Sequence, residues 1–282
     1  MSARVSRRAV LAGVAPLLAL AAASSPAREA LQADRADRPD RDVRLGGTGG
    51  EPWPGETRAA RGARSLVLGH RADPSLLQDL ARRADTAAER VSGVLRVSVR
   101  PLVLVPASAA EAARLAGVAD VEGLAAVADG SRVIVVPGAF DRLTPTGRDV
   151  VLTHELTHVA AGTGGLPPWL YEGFADYVAY RDAGLSVPVA AAELAAEVRA
   201  SRPPRRLPEP GDFAPGSARL AAVYQEAWLA CRYVAERRGE DTLVRLYRDA
   251  RTRGAARALA AAGLPAARLT AGWRAYVREK LA

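Results

Sequence analysis

The apolar pattern along the chain changes character near Gly165. Before it, short apolar runs at 65–69, 100–105, 124–128 and 132–136 predict strands. The last two runs flank Asp129-Gly130, a two-residue turn signal that predicts a tight hairpin. Helix-period segments lie among these runs, at 74–91, 108–115 and 146–161. Asp73 suits the cap of the first segment, and Pro74 its first turn, where a missing N–H costs nothing. After Gly165 the period is helical throughout, predicting helices at 168–180, 189–200, 217–238, 241–250 and 265–281. A Pro- and Arg-rich stretch at 201–215 interrupts them and reads as an exposed loop. Strands mixed with helices, followed by helices alone, predict an α+β fold: a small mixed-sheet lobe over 62–165 and an all-helical lobe over 166–282. A substrate cleft is expected where the two lobes meet, beside helix 146–161.

The first 61 residues lack this periodicity. Arg7 and Arg8 precede an uncharged stretch from Ala9 to Ala23, and small residues follow. That is the layout of an export signal over 1–27, and the arginine pair resembles a twin-arginine leader. The apolar stretch is short for a membrane span, so export to the cell envelope or outside is expected, with no stable membrane insertion after cleavage; the alternative is an uncleaved signal kept as an anchor. Residues 28–61 are charged, Gly- and Pro-rich, and read as a disordered linker.

The chain has only three histidines, and two of them, His154 and His158, stand four residues apart with Glu155 after the first. On a helix, i and i+4 share a face, so both imidazoles can hold one Zn²⁺. Glu155 is then placed to act as general base on a water. Glycines at 162, 164 and 165 end this helix, and Pro167 and Pro168 suit the start of the next. Glu172 falls in the first turns of that second helix and is the candidate third ligand. Asp176, one turn on, is placed to accept the other N–H of a ligating histidine. Trp169, Leu170 and Phe174 stand at helical spacing and read as core, as does the single cysteine, Cys231. His70 reads as a strand-end residue.

His-Glu-Leu-Thr-His at 154–158, followed by Trp-Leu-Tyr-Glu-Gly-Phe-Ala-Asp-Tyr at 169–177, resembles the gluzincins, zinc metallopeptidases of the peptidase-MA-like group related to thermolysin and aminopeptidase N. The resemblance covers roughly residues 123–248 and is specific in the two motifs. It implies a zincin-like fold with the zinc helix at the junction of the lobes, and one Zn²⁺ held by His154, His158 and Glu172. It also implies Glu155 as general base, with Asp176 as the acidic residue four positions after the third ligand. Tyr224, in Tyr-Gln-Glu-Ala-Trp at 224–228, resembles the tyrosine that aminopeptidase-N-like enzymes place over the oxyanion. The lysine-containing sequence usual after that tyrosine is missing, as is the glycine-rich strand with its amine-binding glutamate. The resemblance therefore favours an endopeptidase over an obligate aminopeptidase, and no motif fixes whether cutting is endo or exo.

The formal charge is +8, carried almost wholly by arginine, with Lys280 the single lysine. The arginines are interspersed with acids and form no block with interleaved aromatics, so a nucleic-acid partner is not expected. One cysteine excludes an internal disulfide, leaving stability to the core and the metal. The expected partner is a peptide or protein substrate. Two other functions share this residue set: a catalytically silent, zinc-stabilised binding protein of the envelope, and a zinc hydrolase of a non-peptide cell-wall amide. Substrate identity and oligomeric state are not encoded in any pattern of the sequence.

Overall fold

The structure, a computed structural model, describes Trp53 and residues 55–282. The leader over 1–27 and most of the linker over 28–61 lie outside the described residues. The fold is α+β: a mixed five-stranded sheet with its helices comes first, and mostly helices follow. The described residues group into two compact units, one ending at Gly164 and one spanning Gly165–Ala282.

In the first unit the strands are β1 (Thr57–Arg61), β2 (Leu66–His70), β3 (Leu102–Val105), β4 (Ala126–Ala128) and β5 (Val133–Val135), in the order β1-β2-β3-β5-β4. The inner pairs β2–β3 and β3–β5 are parallel, and both edge pairs are antiparallel. Val67, Val103, Leu104, Val133 and Ile134 are almost wholly buried, as expected for parallel strands covered by helices. Helix α1 (Pro74–Leu95) packs against β1, β2 and β3, and its Asp73 cap accepts the Ser75 N–H at 2.7 Å. Helix α2 (Ala109–Ala116) contacts β5. Helix α3 (Pro145–Ala161) packs on α1 and on β4 and β5.

Strand β1 corrects the expected boundary, because Thr57–Arg61 belongs to the folded part rather than to the linker. Its side chains carry no apolar alternation, and only Ala60 is buried. What holds it is backbone pairing to β2, from Thr57↔His70 to Arg61↔Leu66. The Asp85 carboxylate fixes the turn, accepting the N–H groups of Ala63 (2.6 Å), Arg64 (3.0 Å) and Ser65 (3.0 Å).

The second unit holds helices α4 (Pro168–Arg181), α5 (Val187–Ala190), α6 (Ala192–Arg199), α7 (Leu220–Arg238), α8 (Glu240–Arg253), α9 (Ala255–Ala261) and α10 (Ala266–Leu281). Helix α7 is its centre and packs on α4, α6, α8 and α10. From Leu220 to Cys231 it is buried on nearly every side, Gln225 and Glu226 included. Helices α4 and α7 approach closely at Gly173, where any side chain would collide with the Ala227 carbonyl. Trp169, Leu170 and Phe174 are buried, and Cys231 is fully buried beside the Leu170 carbonyl. The expected loop over 201–215 contains a 3₁₀ turn at Pro210–Phe213, and Pro204, Pro208 and Phe213 are buried.

Candidate metal centre

Local chemistry sets the limits of α3. Thr144 caps it by accepting the Gly147 N–H at 3.1 Å, and Pro145 occupies the first turn. Gly162, at φ 67° and ψ 159°, ends it while its N–H still bonds the His158 carbonyl at 2.9 Å. From Val150 to Thr157 every residue is buried, including Thr153, His154, Glu155 and Thr157. Polar groups in such a place need partners. The threonines find them on their own helix: Thr153 donates to the Asp149 carbonyl and Thr157 to that of Thr153, both at 2.7 Å.

The two histidines turn toward each other. Their Nε2 atoms lie 3.0 Å apart, with the rings nearly perpendicular and their centroids 4.6 Å apart. Glu172, buried in the second turn of α4, completes the group. One ligand atom from each of His154, His158 and Glu172 lies within 4.8 Å of the other two. These three residues could hold a metal ion. Two nitrogens bound to one tetrahedral ion at about 2.0–2.1 Å sit about 3.3 Å apart, so a small outward movement of the rings suffices. Two imidazoles and one carboxylate form a donor set that several divalent transition metals accept.

Glu155 is buried on α3, and its Oε2 accepts the Ala128 backbone N–H at 2.8 Å. That donor lies at the end of edge strand β4, and no side-chain pattern in the sequence points to it. Asp176 is buried one turn after Glu172 on α4. Burial raises the Tyr180 hydroxyl and the Cys231 thiol well above their ordinary pKa values, and the Asp176 charge adds to both shifts. Tyr224 is buried on α7, with its ring edge-on to Phe213 at 5.3 Å.

Two residues beyond Tyr224 the structure places a buried carboxylate that the sequence patterns do not single out. Glu226 accepts from Arg219 at 2.7 Å, and Arg219 also forks onto Glu197. Burial pushes the Glu226 carboxyl up to about 7, against the opposing pull of Arg219. His70 does end a strand, as expected. Its Nδ1 meets Glu111 at 2.9 Å, its Nε2 meets Glu56 at 2.8 Å, and Trp53 stacks on its ring.

No family model matches the chain, and no curated protein matches it. The likeness to gluzincins therefore stands on the two motifs.

Proposed function

We propose that this protein is an exported zinc-dependent peptidase of the gluzincin type, with a zincin-like fold, that cuts peptide bonds within a chain. The observation that carries this reading is the convergence of His154, His158 and Glu172 around one point, with Glu155 on the same helix as both histidines. A His₂Glu donor set suits catalytic zinc, with one position left for water. Bound there, zinc supplies Lewis acidity and lowers the pKa of water to near 7.

The chain's own residues do the rest. His154, His158 and Glu172 hold the ion, and Asp176 orients the ligands. Glu155 takes the proton of the attacking water on its carboxylate and passes it to the nitrogen of the departing amine. The Ala128 N–H keeps that carboxylate in one orientation. Tyr224 donates from its hydroxyl to the developing oxyanion, a contribution commonly worth about 100–1,000-fold in rate.

The test is cleavage of a mixed peptide library by the zinc-loaded protein, with Glu155→Gln beside it. Cleavage by the wild type alone supports the peptidase, and the cut bonds give its specificity. A zinc-bound protein that cuts nothing refutes it and leaves a binding role or a non-peptide amide substrate.

A further inference from the structure

Most arginines of the sheet-containing unit are committed to an acceptor. Arg71 is paired with Glu56, Arg83 with Asp79 and Asp149, and Arg132 with Asp129. Arg58 donates to the Ala72 carbonyl. Arg61, Arg64 and Arg100 are different. Their side chains are exposed and form no ion pair or hydrogen bond among the described residues, yet all three line one groove of about 550 Å³. Ser65, Ser92 and Ser98 line it with them, and no acidic residue does. The nearby Asp85 carboxylate is already occupied by the three N–H groups of the β1–β2 turn.

Three exposed guanidinium groups with no acidic residue in the groove wall concentrate positive charge there, which favours an anion. The backbone that carries Arg61 and Arg64 is also fixed in advance. Asp85 fixes the backbone of the turn between Arg61 and Ser65, and Arg100 immediately precedes the residues leading into β3. Of the three serines, Ser65 already donates its hydroxyl to the Ala81 carbonyl at 3.0 Å and the Ser92 Oγ is buried, which leaves the exposed Ser98 hydroxyl to join the arginines. Three arginine forks with the Ser98 hydroxyl beside them match the three oxygens of a phosphoryl group better than a single carboxylate. At the rim stands Val97, one of only two large apolar residues exposed among the described residues.

We infer that this groove binds a phosphate-bearing ligand, distinct from the metal centre, through Arg61, Arg64 and Arg100. The phosphoryl group can come from a soluble phosphate or from the headgroup of an anionic phospholipid. The exposed Val97 beside the arginines suits the second source.

The experiment uses the full chain and two probes. Inorganic phosphate is titrated into isotope-labelled protein while the backbone amides of Gly62, Ser65 and Ser98 are followed. Vesicles of phosphatidylglycerol in phosphatidylcholine are tested separately by co-sedimentation. Saturable shifts at those amides are expected, and the triple variant Arg61→Gln, Arg64→Gln, Arg100→Gln is expected to weaken phosphate binding by at least about tenfold. Arg114→Gln with Arg142→Gln, which removes the same kind of charge outside the groove, is expected to leave it unchanged. Ser98→Glu, which keeps the arginines but adds a carboxylate to the wall, is expected to match the triple variant. Vesicle binding lost in the triple variant, with weak binding of free phosphate, identifies the headgroup. Saturable phosphate binding without a vesicle difference identifies a soluble ligand. The inference is overturned if the triple variant matches wild type with both probes, or if neither probe binds.

Discussion

The Glu155 carboxylate accepts the backbone N–H of Ala128 at 2.8 Å, which ties the acid between two histidines to the edge strand of the sheet. The bond crosses 27 positions of sequence and is buried. A charge-assisted bond of this kind is stronger than one between neutral groups, and it fixes the side-chain rotamer as well as the charge. Strand β4 thus takes part in the site through its main chain, where substitution of its small side chains leaves the donor in place.

Replacing Glu155 by Gln retains an oxygen that can accept the Ala128 N–H but removes the basic carboxylate. The variant is expected to fold, to keep its metal, and to lose cleavage by at least about 100-fold, the usual scale of general-base catalysis. Metal content and single-turnover cleavage, measured on the same sample, check this. Wild-type turnover in a metal-loaded Gln variant would remove Glu155 from the mechanism.

His154→Ala and Glu172→Ala each delete one of three ligands and are expected to abolish stoichiometric metal binding. In the wild type, a metal present at 100 times its dissociation constant adds about 2.7 kcal/mol to stability, so chelation lowers the unfolding temperature. The two variants are expected to unfold at the same temperature with and without chelator. Asp176→Asn is the milder case, with affinity reduced by about 10–100-fold. Competition with a metallochromic indicator measures all three, and unchanged affinity in Asp176→Asn would show that Asp176 does not support the ligands.

Gly173, next to Glu172, is where α4 meets the backbone of α7 at Ala227. A methyl group there cannot be accommodated unless the helices separate. Gly173→Ala is expected to destabilise the fold by about 1–3 kcal/mol, as overpacking does, although alanine favours helices more than glycine. Urea unfolding is the measurement, and a neutral or stabilising result would mean that the two helices are not so close in solution.

In the metal-free protein, the stability that Glu226 and His70 contribute is expected to fall as pH rises from about 5 to 8. Burial raises the Glu226 carboxyl to about 7 from its ordinary 4.5, so between these values the folded protein holds a proton that the unfolded chain has lost. That contribution is complete below the unfolded value and disappears as pH rises through the folded one. His70 acts in the same sense: its bonds to Glu111 and then Glu56 raise its pKa above 6.5, and its contribution is lost as pH rises through that raised value. Glu56, Asp73, Asp79, Asp85, Glu111 and Asp212, whose pKa values are lowered, oppose this only at more acidic pH. Thermal unfolding across pH 5–8 tests the slope. Glu226→Gln is expected to flatten it, and an unaltered slope in that variant would rule out Glu226 as a source.

Features written in local chemistry are legible in the sequence. The Asp73-Pro74 start, the Asp129-Gly130 hairpin and the glycine at the end of α3 all depend on backbone preferences that neighbouring residues dictate. The His-His-Glu group is legible for a related reason, since helical spacing alone places His154 and His158 on one face. Features made by distant backbone are not. Strand β1 has too few apolar side chains to declare itself, and the Ala128 N–H belongs to no residue type. The continuous helix expected over 189–200 is two helices, parted at Ala191 with φ −110° and ψ 45°. Alanine-rich sequence fits either outcome, and α9, built mostly of alanine, carries no periodic signal for the same reason.

Cys231 has a practical consequence. Its thiol is fully buried against α4, and burial makes the reactive thiolate scarce, so alkylating and oxidising reagents are excluded on both counts. A cysteine introduced at an exposed position such as Val189 is then the one thiol that a maleimide can reach in the folded protein. Fluorescent or spin labels can be attached at a chosen point without first removing the native sulfur.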